Sequence, residues 1–328
     1  MKKYSFFLLA LFPTLAISAP SPELSTEIDK QVKIAEPEKQ RENLPHLAEE
    51  QSYSTRISRE ELEQNQPLTT QLLSQAIYSR DADLIEKLLE VYQTFPEQDP
   101  ILVLFAQGKV AALNDDQATA IDKYREVLAQ NPNLNPVRIE LAIALFNQKQ
   151  DGAAKAQFDK AKTAEDLPAP VMEIIDTYLS ALNDRDSWNV DIAFNYVRDT
   201  NVNNVGSGKQ VILANGGVLT RADDMMPQSA HGLAYSLDIS RDFNLWGSNY
   251  LSVGNEFFGK SYWDNHEFDD ISNRTFVGYA HKTAKQNFRI KPFYEKRWYG
   301  GEAFHWSNGI EMSYSYWLSK NWQNQTAL

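Results

Sequence analysis

Apolar side chains recur at two different spacings along this chain, and the change falls near residue 187. Before it, apolar positions return about every 3.6 residues, the spacing that lines one face of a helix. Leu84, Leu88 and Val91 form one such face, and Ile174, Ile175, Tyr178 and Leu182 form another on a helix expected over 171–182. From Trp188 onward the spacing is two. Trp188, Val190, Ile192, Phe194 and Tyr196 alternate with Asn189, Asp191, Ala193 and Asn195. Leu233, Tyr235, Leu237 and Ile239 alternate with Ala234, Ser236 and Asp238, and Ile310, Met312, Tyr314, Tyr316 and Leu318 with Glu311, Ser313 and Ser315. Alternating runs of about ten residues are how a strand reads when one face meets lipid and the other water. Further strands are expected near 211–219, 249–262, 271–283 and 286–298. Gly216-Gly217, Trp246-Gly247-Ser248, the acidic stretch Asp264 to Asp270 and Gly300-Gly301 mark turns between them.

The helical part repeats itself at 34 residues. Setting 101–134 over 135–168 places Gly108 on Ala142, Ala111 on Leu145, Ala120 on Ala154, Tyr124 on Phe158 and Val127 on Ala161. Small residues let two antiparallel helices approach closely, and the later aromatic fills the space between them, which is the register of a tetratricopeptide repeat. Pro132 stands where the second helix must stop, and a weaker unit over 65–100 ends at Pro96 in the same way. The fold class is therefore a two-domain chain. An all-α, tetratricopeptide-like helical repeat domain (65–186) precedes an antiparallel transmembrane β-barrel (187–328), partial, of six or seven strands. An unrelated helical bundle competes with the first assignment. A soluble β-sandwich with sugar-stacking tryptophans competes with the second.

Ahead of these lie two further segments. Lys2 and Lys3, the apolar core Phe6 to Ile17, and the small residues Ala16 and Ser18 read as a secretory signal peptide over 1–19. Residues 20–64, rich in Glu, Gln, Lys and Pro, read as a flexible or partly helical lead-in. All seven tryptophans fall between Trp188 and Trp322. Charge is just as uneven. Residues 20–187 hold 17 Lys and Arg against 30 Asp and Glu, whereas 188–328 hold 13 against 14. An acidic helical part is a poor match for nucleic acid, whose backbone needs clustered cations. With no cysteine, the chain has neither a disulfide nor a thiol to lipidate.

Candidate chemistry is sparse. The five histidines show no metal-site spacing, and His266 with Asp269 and Asp270 reads as a solvated acidic loop rather than a cation site. Asp223-Asp224 and Asp269-Asp270 are neighbours that a strand would send to opposite faces, which makes them weak acid–base pairs. Asn273-Arg-Thr275 and Asn324-Gln-Thr326 match glycosylation acceptors, a pattern common by chance. No catalytic, cofactor-binding or metal-ligating residue is assigned, and protein-binding residues are unknown. A curved groove of stacked helices commonly holds an extended peptide or another protein's helix; Lys109, Arg138 and Lys155 are within reach of an acidic partner, but lone charges on helices read more readily as solvated surface, and the groove as a whole is the better candidate.

A signal peptide, a helical repeat domain, then a strand that runs into Tyr196-Val-Arg-Asp-Thr-Asn-Val-Asn-Asn204 resembles the surface lipoprotein assembly modulator (Slam) family of Gram-negative bacteria, over roughly Gln66 to the end. Asp199, Thr200, Asn201 and Asn203 are its most family-like short motif. The resemblance implies a non-enzymatic outer-membrane translocator. It would help surface lipoproteins, or related haem- and metal-capturing proteins, reach the cell surface, with lipoprotein cargo and periplasmic chaperones as partners, outer-membrane lipid around the barrel and the helical domain in the periplasm. It also implies a barrel of about fourteen strands, of which this chain would hold the first half. The polar tail Asn-Gln-Thr-Ala-Leu328 reads as lacking a final alternating strand. A passive outer-membrane channel and a soluble periplasmic sugar-binding protein are the alternatives.

Overall fold

A computed structural model describes residues 57–164, 167–319 and 321–328. The signal peptide and most of the lead-in lie outside the described residues. The last part of the lead-in is helical, as α1 (Arg59–Gln64).

Helices then follow in antiparallel pairs. The first pair is α2 (Gln66–Ser79) with α3 (Ala82–Tyr92), and the second α4 (Pro100–Leu113) with α5 (Gln117–Gln130). The third is α6 (Asn135–Asn147) with α7 (Asp151–Lys162), closed by α8 (Ala169–Arg185). Asn65, Asp81, Asp99 and Asp116 each accept a hydrogen bond from a first-turn N–H, fixing where a helix starts.

The repeat register explains the packing. Tyr124 and Phe158 occupy equivalent positions and are fully buried, as are Ala120, Ala154 and Ala161. A Cβ on Gly108 would stand 2.6 Å from the Tyr124 ring, so only glycine lets that ring cross α4. Phe158 stacks on Tyr178 of the closing helix, 5.1 Å from centroid to centroid. One expectation fails. Leu84 is 41% exposed, and the buried position one residue later is held by Ile85, beside Leu88 and Val91.

Seven strands form one curled antiparallel half-barrel sheet: β1 (Asn189–Asp199), β4 (Ala230–Trp246), β5 (Asn249–Tyr262), β6 (Asp270–Lys282), β7 (Gln286–Tyr299), β8 (Glu302–Ser319) and β9 (Trp322–Ala327), in that order. Strands β4 to β8 run 13 to 18 residues, long enough to cross a bilayer at a tilt. Seven strands match the expected count, but the membership differs. Residues 211–219 do not join the sheet, and they supply instead the two short strands β2 (Gln210–Ile212) and β3 (Val218–Thr220) of a separate hairpin. The polar tail, read as lacking a strand, forms β9 on β8, because ladder hydrogen bonds need only backbone.

Residues 200–229 are a unit of their own. Val202 N–H donates to the Gln228 carbonyl, and the Asn203 side chain bonds the Met226 carbonyl and the Gln228 N–H at 2.9 and 3.0 Å. Asn201 braces Val205 in the same way. The asparagines of the family-like motif thus tie the base of a loop, and Gly216, at φ +81°, turns the hairpin.

Candidate functional site

Strand register sorts the sheet into two chemically opposite faces. Paired residues share a face, so Ile192, Leu237, Phe257, Val277, Ile290 and Met312 belong to one, and Asp191, Asp238, Glu256, Arg274 and Glu295 to the other. Every Asp and Glu within the seven strands lies on the second face. The buried side chains of the sheet, Tyr250, Ser252, Tyr262, Ser272 and Ala280, lie there too. Side chains crowd on the concave side of a curled sheet, so the charged face is the inner one. The apolar face looks outward and is exposed, Phe194 by 71% and Ile192 by 57%.

Charges on the inner face are paired across strands. Asp242 receives Lys282, Arg289 at 3.1 Å and the Ser252 hydroxyl. Arg297 grips Asp270 with two hydrogen bonds of 2.7 and 2.8 Å. Arg274 lies between Glu295 (3.6 Å) and Glu256 (3.9 Å), and Lys291 meets Glu311 at 2.7 Å. Two rings run through this lattice. Phe293 lies under Arg274, 3.7 Å from its guanidinium, and crosses Gly309; Phe276 lies under Lys291 and crosses Gly254. A side chain at either glycine would displace the ring, so close approach of strand and ring requires glycine there.

The helical repeats meet the sheet at the end where β4 turns into β5. The Tyr250 hydroxyl donates to the Lys149 carbonyl or the Asp151 carboxylate, each 2.7 Å away. Asp151 also pairs with Arg185 of α8 at 2.8 Å, and Arg185 donates to the Phe146 carbonyl and covers the Phe146 ring at 3.5 Å. Ser248 donates to the Gln148 carbonyl, and the Gly152 N–H donates to Asn244. Arg241 closes the seam onto Asp186 at 3.0 Å. A cleft of about 260 Å³ opens beside it, lined by Asn114, Gln117, Phe146, Lys149, Lys285 and Trp317 among others.

Of the three basic residues singled out in the repeats, two are not solvated surface. Lys109 is buried and bonds Glu140 at 2.5 Å. Arg138 is buried, donating to the Pro132 carbonyl and to Gln157. Only Lys155 is exposed, beside Asp159 at 3.3 Å. Buried residues run without a break from Val137 to Phe146, so α6 is enclosed on all sides. Burial, and after it the nearby Glu140 carboxylate, pushes the Tyr124 phenol above its ordinary range.

The acidic stretch at His266 divides between two partners. His266 contacts Asp269 at 3.1 Å, but Asp270 turns to Arg297. No group of three or more His, Asp or Glu able to hold a metal ion is present among the described residues. Among aromatic residues near strand ends, Tyr262 and Tyr299 belong to the inner face and Trp298 to the outer. No described helix is long and apolar enough to cross a membrane.

Residues 188–328 match the family model described as Surface lipoprotein assembly modifier, and residues 55–158 match its N-terminal TPR repeats. Surface lipoprotein assembly modifier 1 of Haemophilus influenzae Rd is 30% identical over 99% of this chain and 69% of its own length. The chain belongs to the surface lipoprotein assembly modifier family. Similar too are the Surface lipoprotein assembly modifier of Pasteurella multocida, 35% identical over 82% of this chain and 53% of its own length, and the Hemophilin secretion modulator of Acinetobacter baumannii, 25% identical over 70% and 50%. The chain therefore spans about half to two thirds of the length of these family members. No solved structure matches it. The curled sheet and the family both fit an outer-membrane protein.

Proposed function

We propose that this chain works in the outer membrane as the translocating part of a non-enzymatic route that carries lipoproteins to the cell surface. The observation that carries this reading is the sorting of charge. A sheet with every strand carboxylate on its inner face and an apolar outer face suits a barrel wall in lipid around a wet interior. The helical domain of 65–186 then lies in the periplasm. It is seated where α8 enters β1 and where two-residue turns join β4 to β5, and barrels keep short turns on that side and longer loops on the other. Residues 263–269 join β5 to β6 at the opposite strand ends, where the short turn Gly300-Gly301 also joins β7 to β8. The seam around Tyr250, Asp151 and Arg185 holds the repeats at the mouth, so that cargo, or a chaperone delivering it, meets the repeats first and the charged inner face next.

Surface display decides the matter. In cells expressing this chain with a lipoprotein partner, protease added outside should cleave the lipoprotein, and deleting residues 65–185 should abolish that cleavage. Cleavage that persists after the deletion contradicts the reading, and ion conduction without any display favours a passive channel.

A further inference from the structure

The outer face is largely apolar, and a cluster of polar side chains interrupts it on β5 to β8. Asn255 and Asn273 exchange side-chain hydrogen bonds of 3.1 Å, and Asn255 also donates to Thr275 at 2.8 Å. Lys296 is the residue opposite Asn273 on β7, and Asn308 is opposite Tyr294 on β8. Aromatic rings frame this polar island. Lys296 stands 5.1 Å from the Trp298 ring centroid, its partner on β8 is Trp306, and Trp306 stacks on Tyr294 at 6.3 Å.

Lys296 also gives this island a charge. The outer face carries three basic side chains, Arg198, Arg241 and Lys296, and no carboxylate. Arg241, at the rim nearest the helical repeats, is neutralised by Asp186. Lys296 lies near the other rim, three residues before the end of β7, and has no carboxylate partner among the described residues. An unpaired ammonium on a lipid-facing strand costs ~2–4 kcal/mol at the bilayer midplane and close to nothing at the interface. A position just inside a strand end, flanked by tryptophans that favour the headgroup zone, puts it level with lipid phosphates.

We propose that Lys296, with Asn273 beside it and Trp298 and Trp306 as side walls, binds the phosphate of an anionic lipid headgroup in the leaflet farther from the helical repeats. The ammonium supplies charge and donors, the Asn273 amide is close enough in register to share a phosphate oxygen, and the indoles pack against the sugar or glycerol part. This rests on the membrane placement proposed above.

Two measurements separate the proposal from that placement. Resistance of the full chain to alkaline carbonate extraction tests membrane integration alone; extraction of the chain would overturn both. The integrated chain is then reconstituted into phosphatidylcholine bilayers containing a minor fraction of phosphatidylglycerol, and bound phosphatidylglycerol per chain is read by native mass spectrometry. Lys296→Gln should weaken retention about fivefold, the factor matching ~1 kcal/mol per basic side chain near an anionic lipid surface. Lys296→Arg should keep it, and Lys260→Gln, the same charge change on the inner face, should leave it unaltered. Equal retention by wild type and Lys296→Gln, or equal losses from Lys296→Gln and Lys260→Gln, would overturn the proposal.

Discussion

Phe158 of the helical repeats is fully buried, whereas Phe194 of β1 stands out by 71%, though each belongs to the regular apolar face of its element. The charges are reversed as well. In the repeats most of them lie on the surface, with Lys109 and Glu140 an internal exception; in the sheet every strand carboxylate lies on the inner face, many of them in cross-strand pairs. A water-soluble domain gains by hiding apolar area, while a sheet in lipid gains by presenting it and keeping charge on the side that water reaches. Under the proposed placement one chain follows two solvent rules, and the boundary between them is the seam of Tyr250, Asp151 and Arg185.

Breaking the internal exception should cost most. Lys109→Ala leaves the Glu140 carboxylate buried alone, and a loss of about 3–5 kcal/mol is expected in urea unfolding of the helical domain. Replacing both residues with apolar ones of similar volume should be near neutral. A loss from the double change as large as from the single one would mean that the pair itself is needed. Gly108→Leu drives a side chain into the Tyr124 ring; overpacking of this kind costs about 1–3 kcal/mol, measurable as a lower thermal midpoint by circular dichroism.

On the sheet the opposite rule is tested by Val277→Arg, on the outer face of β6. It should cost ~2–4 kcal/mol of barrel stability if that position is deep in lipid, seen as loss of heat-modifiable mobility on a gel. The same change at Ser313, on the inner face, should be tolerated. At the boundary, Tyr250→Phe removes one hydroxyl shared by two acceptors and should cost about 1 kcal/mol, detected as faster proteolysis between the helical repeats and the sheet with the fold of each retained.

The smallest effect concerns pH. Hydrogen bonds from the Thr119 hydroxyl and N–H hold the Asp116 carboxyl below its ordinary value. A carboxyl with a lowered value in the folded state adds stability above its unfolded pKa and loses it as pH falls through the folded one. The start of α5 should therefore weaken only in acid, below about pH 4, and Asp116→Asn should flatten that dependence in thermal melts.

Much of this architecture was legible in the sequence because it is periodic. Positions 34 residues apart carried the repeats, and alternation carried the strands with nonpolar outer faces. What escaped lacks a period. β9 has amides on both faces, so alternation could not reveal it, and its pairing depends on backbone alone. Leu84 and Ile85 are both apolar neighbours, and only packing against α2 and α4 selects Ile85. Lys109 and Arg138 read as surface cations since nothing local to them announces Glu140 or the Pro132 carbonyl. The Tyr250 seam joins residues about a hundred positions apart, a distance at which spacing carries no information.

The absence of native cysteine makes one test of the two-faced sheet especially clean. Single cysteines replace outer-face residues Ile192, Val277 and Ile310, or inner-face residues Ala193, Ser236 and Ser313, and intact outer membranes are treated with a membrane-impermeant maleimide after opening access to both sides. Labelling of the inner-face set with protection of the outer-face set is the predicted result. Equal labelling of the two sets would contradict the placement of this sheet in lipid.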